Sequence, residues 1–182
     1  MSLTYSKMLP LGTSIPNFNL LNVMDNEEFS SSDITDKATV IMVICNHCPY
    51  VIHYHDEIKS IISKYLGDFN FVAISSNDVV NYPQDSPKEM KKLFDKLNIE
   101  IPYLYDKTQD VARSLMAECT PEFYLFDKTR SLIYRGRLDS SSPGNGESIT
   151  GKDLRNALDC SINGEHIDLN QYPSMGCNIK WI

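Results

Sequence analysis

The stretch Thr39-Val40-Ile41-Met42-Val43-Ile44-Cys45-Asn46-His47-Cys48-Pro49 decides the architecture. Its first six residues are apolar or β-branched on both faces, the pattern of a central strand buried on both sides of a sheet. Beyond Pro49, Ile58, Ile61, Ile62 and Tyr65 recur at i, i+3, i+4 and i+7, which predicts an amphipathic helix closed by Gly67. A strand running through C-x-x-C directly into a helix sets both cysteines at the helix N-terminus. Unpaired amides and the helix dipole there stabilise an anion, and a thiol pKa falls from about 8.5 to roughly 3.5–7.5. On this reading Cys45, on the exposed side of the turn, attacks a disulfide. Cys48, one turn deeper, resolves it. Pro49 has no amide proton to lose in a first helical turn. His47, between the two sulfurs, either favours the Cys45 thiolate electrostatically or is a solvent-facing spacer.

Outward from this centre, β-rich runs alternate with helix-period runs, which predicts an α/β fold: a mixed sheet flanked by helices. Further strands are expected at 69–75, 103–105, 123–126 and 132–137, with the first at 38–44. A helix from about 86 to 97 carries Pro87 in its first turn and an inner stripe of Met90, Leu93, Phe94 and Leu97. Shorter helices are expected at 108–116 and 150–163. Residues 12–36 read as an extended or hairpin N-terminal extension, and the tail after Gly164, without periodicity, as a surface wrap anchored by Trp181. No repeat or low-complexity linker divides the 182 residues, so 1–182 is expected to be one domain.

Composition narrows the function. With 42% hydrophobic and 23% charged residues, the chain is an ordinary globule. Its net charge of −7 argues against nucleic acid, whose binding needs a basic face. No run approaches the ~18 apolar residues of a membrane span, and Met1–Lys7 lacks a signal-peptide core, so a cytoplasmic location is expected, with no membrane partner. In such a compartment the five cysteines rest as thiols unless a site is redox-active. A zinc half-site competes for the C-x-x-C, but no second pair of soft ligands follows, and His53 and His55, at i and i+2, point to different sides of a helix. No metal is therefore expected, and His53, His55 and His166 read as surface or boundary residues.

Thr120-Pro121, at the lip of the strand 123–126, is the second feature. Its proline is either a cis residue facing the helix N-terminus or an ordinary strand starter. Cys119, just before it, is a further redox partner or a small apolar filler. Cys160 reads as inert packing, and the pairing of Cys177, in a Gly176-Cys177-Asn178 turn, stays open.

These motifs, with Gly12-Thr13-Ser14-Ile15-Pro16-Asn17-Phe18, Ala73–Asp78, Pro102–Asp106 and Gly176–Trp181, resemble bacterial thioredoxin-like proteins of the redoxin group. That group is related to the alkyl-hydroperoxide-reductase and thiol-specific-antioxidant proteins. The resemblance spans nearly the whole chain and implies a thioredoxin-like fold. It also implies a cis Pro121 beside the dithiol and a dithiol–disulfide activity on Cys45 and Cys48, with His47, Pro49, Thr120 and Pro121 in support. It implies no cofactor beyond the redox-active disulfide. The partners would be disulfide-bearing proteins or small thiols and an unidentified thiol reductant. Two departures stand out. The usual Trp before the first cysteine is Ile44, and the usual Gly-Pro between the pair is Asn46-His47. A peroxidatic site would place Thr or Ser where Met42 stands, so a thiol peroxidase using Cys45 is the weaker alternative. A non-catalytic or zinc-binding module is the other.

Overall fold

The computed structural model describes residues 3–182; the first two residues of the N-terminal reading lie outside the described residues. The chain runs β1 (Leu3–Tyr5), β2 (Asn19–Asn22), β3 (Glu28–Ser30), β4 (Thr39–Val43), α1 (Pro49–His53) and α2 (His55–Tyr65). It continues through β5 (Asn70–Ser75), α3 (Pro87–Leu97), β6 (Tyr103–Tyr105), α4 (Asp110–Ser114) and β7 (Cys119–Thr120). It ends with β8 (Glu122–Phe126), β9 (Leu132–Gly136), α5 (Lys152–Asn163) and β10 (Met175–Asn178).

Seven strands form one mixed sheet in the order β3-β2-β6-β5-β4-β8-β9. β4 pairs parallel with β5 and antiparallel with β8, and β5 pairs parallel with β6. The expectation of a doubly buried β4 is met residue by residue. Val40 and Met42 pack into one apolar cluster with α2, α3 and α5, and Ile41 and Val43 into a second on the opposite face. Alternate side chains of a strand point to opposite faces, so a strand covered on both must be apolar throughout. The architecture is a thioredoxin-like α/β fold.

Three local expectations are corrected. The helix after Pro49 is broken at Tyr54, which caps α1 and starts α2. Its hydroxyl donates to Asp139 Oδ1 at 2.9 Å and to the Ser141 carbonyl, which holds the break against the loop after β9. Gly67 does not terminate α2; Leu66 caps it in right-handed helical geometry. The tail does not merely wrap the surface. Its β10 lies between β1 and β7 in a second, three-stranded sheet, with Cys177 and Ile179 buried. Trp181 stacks under the Arg113 guanidinium, 4.5 Å from the ring centre.

Candidate active site

β4 delivers the chain to Ile44, three residues turn without regular structure, and α1 begins at Pro49 with Cys48 as its N-cap. Both cysteines are sealed from solvent, Cys45 at 1% and Cys48 at 0% exposure. Thr120 joins them to the opposite wall. Its hydroxyl lies 3.3 Å from Cys45 Sγ, and its carbonyl accepts from the Cys48 thiol at 3.2 Å. The Thr120-Pro121 peptide is cis, as the resemblance implied. Pro121 borders a cleft of about 340 Å³ shared with Tyr5, Tyr54, Arg137 and Asp139, which no cysteine lines.

The two thiols are electrostatically coupled, and different groups act on each. The hydrogen bond shared with Cys48, burial and the Asp85 carboxylate together push Cys45 well above an ordinary thiol. Cys48 is lowered to about 5, first by the bond from Cys45, then, against burial, by bonds from the Cys177 thiol, Thr120 and the Cys177 amide. Cys48 is the N-cap of α1, while Cys45 lies three residues before it and faces the buried Asp85 carboxylate. The Cys45 thiol is thus not exposed.

That negative charge was not anticipated. Asp85, fully buried, accepts from the amides of Asn46 (2.8 Å) and His47 (3.3 Å), from Asn77 Nδ2 (2.8 Å) and from His47 Nδ1 (2.6 Å). It sits in a 3-10 turn, Pro83–Asp85, between β5 and α3. The bracketing of Asp85 by Pro83 and Pro87 was the available signal of a rigid loop, but nothing local tied that loop to the cysteines. His47 is therefore not a solvent-facing spacer: it is held by Asp85 and stacked on Tyr82 at 5.6 Å, beside Cys45. Cys45 Sγ, a His47 ring nitrogen and an Asp85 oxygen lie within 4.8 Å of one another, a mixed donor set able to hold a cation.

Pro49 occupies the first position of α1 as expected. Cys119 is buried beside Glu122, whose Oε1 accepts its amide at 2.9 Å and its thiol at 3.5 Å. Burial and that carboxylate push its pKa far up, so it is a protonated thiol turned toward Glu122. Burial raises the Glu122 pKa as well. His53 bonds Ser141 through Nε2 at 2.9 Å, His166 is exposed, and Cys160 is partly exposed on α5.

With this geometry in place, similarity to known proteins settles the family. The Redoxin profile matches residues 10–154. The chain belongs to the redoxin family. Two solved structures resemble it end to end. An uncharacterized conserved protein from Geobacillus kaustophilus is 47% identical, with a TM-score of 0.97 over 100% of this chain and 97% of that one. A hypothetical protein from Sinorhizobium meliloti 1021 is 35% identical, with a TM-score of 0.95 over 98% of each chain. A secreted disulfide oxidoreductase from Mycobacterium tuberculosis shares the fold at 12% identity and a TM-score of 0.61, over 79% of this chain and 95% of that one. No curated protein matches the sequence. Redoxin membership supports thiol-based oxidoreductase or peroxidase chemistry in general terms. Among the described residues no helix is long and apolar enough to cross a membrane.

Proposed function

We propose that this redoxin-family protein is a thiol–disulfide oxidoreductase in which Cys45 and Cys48 cycle between dithiol and disulfide, reducing or exchanging disulfides of protein or small-thiol partners. The observation that carries this reading is the thiol pair itself. Two hydrogen-bonded sulfurs, with the Cys48 pKa lowered, both bear on Thr120 beside a cis proline. The thiolate is the nucleophile in exchange, and a stabilised thiolate is also a good leaving group. Cys48 attacks the partner disulfide and Cys45, in contact with it, completes the intramolecular bond. The displaced thiols take up the protons, and an external dithiol resets the pair. No cofactor beyond this disulfide is required, and a reducing cytoplasm would keep the resting state as thiols.

The test is stopped-flow reduction of a small aromatic disulfide. Cys45→Ser and Cys48→Ser should each lose turnover at least 100-fold while remaining folded. Hydrogen peroxide should oxidise the pair more slowly than the disulfide does; a faster reaction with peroxide would establish the peroxidase reading instead. The Cys45–His47–Asp85 donor set favours one second reading, a cation-binding site. Stoichiometric zinc after purification in reductant, released with recovery of free thiols, would establish it.

A further inference from the structure

We propose that Cys177 is a third redox thiol of this site, accepting the disulfide at Cys48 in place of Cys45. This rests on the dithiol reading above and extends it to the C-terminal strand.

Strand register and close packing carry the inference. β10 pairs antiparallel with β7, placing Cys177 opposite Thr120, the residue that contacts both Cys45 and Cys48. The approach is unusually tight: a Cβ on Gly176 would lie 1.9 Å from the Thr120 carbonyl oxygen, so only glycine lets the strand close there. β10 also packs against α1, whose N-cap is Cys48. The outcome is that the Cys177 thiol and amide both hydrogen-bond Cys48 Sγ. Cys48 is the middle sulfur of three, touched by Cys45 from its own turn and by Cys177 from the tail. Cys119, close in sequence to Thr120, faces Glu122 instead. Burial and the bond to Cys48 raise Cys177 to about 12, so it waits as a thiol.

The step balances without a further oxidant. When Cys45 and Cys48 are joined, the sulfur of Cys177 attacks Cys48 Sγ. The Cys48–Cys177 bond forms, the Cys45–Cys48 bond breaks, and the proton of Cys177 passes to the departing Cys45 sulfur. When Cys48 instead carries a partner in mixed disulfide, the same attack expels the partner thiol, the partner's original disulfide being the oxidant. Either route ties β10 to the start of α1, so the oxidised tail is covalently held where the reduced tail is held only by hydrogen bonds.

Trypsin separates the participants, because Cys45 and Cys48 lie in peptide 38–59 and Cys177 in 156–180. A Cys160→Ser background removes the other cysteine of the second peptide. In that background, treatment with 5,5′-dithiobis(2-nitrobenzoate) should give an intrapeptide Cys45–Cys48 bond or its exchange product, a cross-link between 38–59 and 156–180; formation of neither would overturn the dithiol reading. Adding Cys45→Ser, or Cys45→Ala should the serine variant be unstable, should give a cross-link between 38–59 and 156–180, lost on further Cys177→Ser replacement. A stable mixed disulfide on Cys48 with Cys177 unreacted would overturn the present inference and leave the dithiol reading standing. Gly176→Ala, checked for native circular dichroism, should lower the cross-link yield at least tenfold. An unchanged yield would show that docking of β10 does not bring the sulfurs together, and would overturn it too.

Discussion

Asp85 sets the potential that the thiol pair meets. Four donors surround the buried Asp85 carboxylate, and the negative charge they retain there is what Cys45 faces. Asp85→Asn removes that charge while keeping one acceptor oxygen, so the Cys45 pKa should fall. The new amide group meets the donor Asn77 Nδ2, and a buried donor left unmatched costs about 1–3 kcal/mol. Urea denaturation would read the second effect and pH-dependent alkylation the first; an unchanged Cys45 profile would exclude Asp85 as the source. In the native protein, alkylation mapped by mass spectrometry should show Cys48 titrating near pH 5, well below Cys45. A Cys45 midpoint lower than that of Cys48 would return the first attack to Cys45.

Among the elements, the C-terminal strand is where small residues have the largest effect. Gly136 meets the Tyr172 carbonyl, where a Cβ would lie 2.0 Å away, and Gly176 meets that of Thr120. Between and beyond these contacts the tail is hydrogen-bonded into the site wall. The Lys180 amide donates to Asn77 Oδ1 at 2.8 Å, and the same Asn77 donates to Asp85 through Nδ2. Ile179 donates to the Glu118 carbonyl at 2.9 Å. Gly176→Ala should therefore lift β10 rather than simply weaken the core, at a cost of about 1–3 kcal/mol for overpacking. Cys45, Cys48 and Cys177 should all alkylate at least tenfold faster in this variant. Protection equal to that of the native protein would mean that the strand does not seal the thiols.

For the whole molecule, stability follows the two apolar clusters and the one strongly acidic thiol. Phe126 is fully buried in the cluster on the sheet face opposite the cysteines. Phe126→Ala should cost about 3–5 kcal/mol in denaturant titration, and the folded fraction should keep its exchange chemistry. Cys48 sets a pH dependence of definite sign. Its folded pKa of about 5 lies below the unfolded thiol value of about 8.5. Its contribution is therefore fully present above the unfolded value and is lost as pH falls toward 5. The stability difference between native protein and Cys48→Ala, measured in reductant, should grow as pH rises from about 5 to about 8.5. A flat difference would mean that the thiolate is not stored on Cys48.

Elements whose character is local were legible in the sequence. β4 is apolar or β-branched at every position, α3 starts at Pro87 and ends at Leu97 close to its expected limits, and β6 has the bounds its residues suggested. The C-x-x-C at a strand–helix junction and the Thr-Pro step were likewise visible, because backbone geometry and proline chemistry act over a few residues. What surrounds the two thiols was not. It depends on Asp85, 40 residues after Cys45 in sequence, and on Cys177 in the tail. The role of the tail was equally hidden: Met175–Asn178 has no periodicity that separates a buried strand from a loop, and only β1 and β7 on either side make it one. Local conformational preference is written into neighbouring residues, whereas burial, hydrogen-bond pairing and the electrostatic potential at a sulfur are sums over groups that only the folded chain brings together.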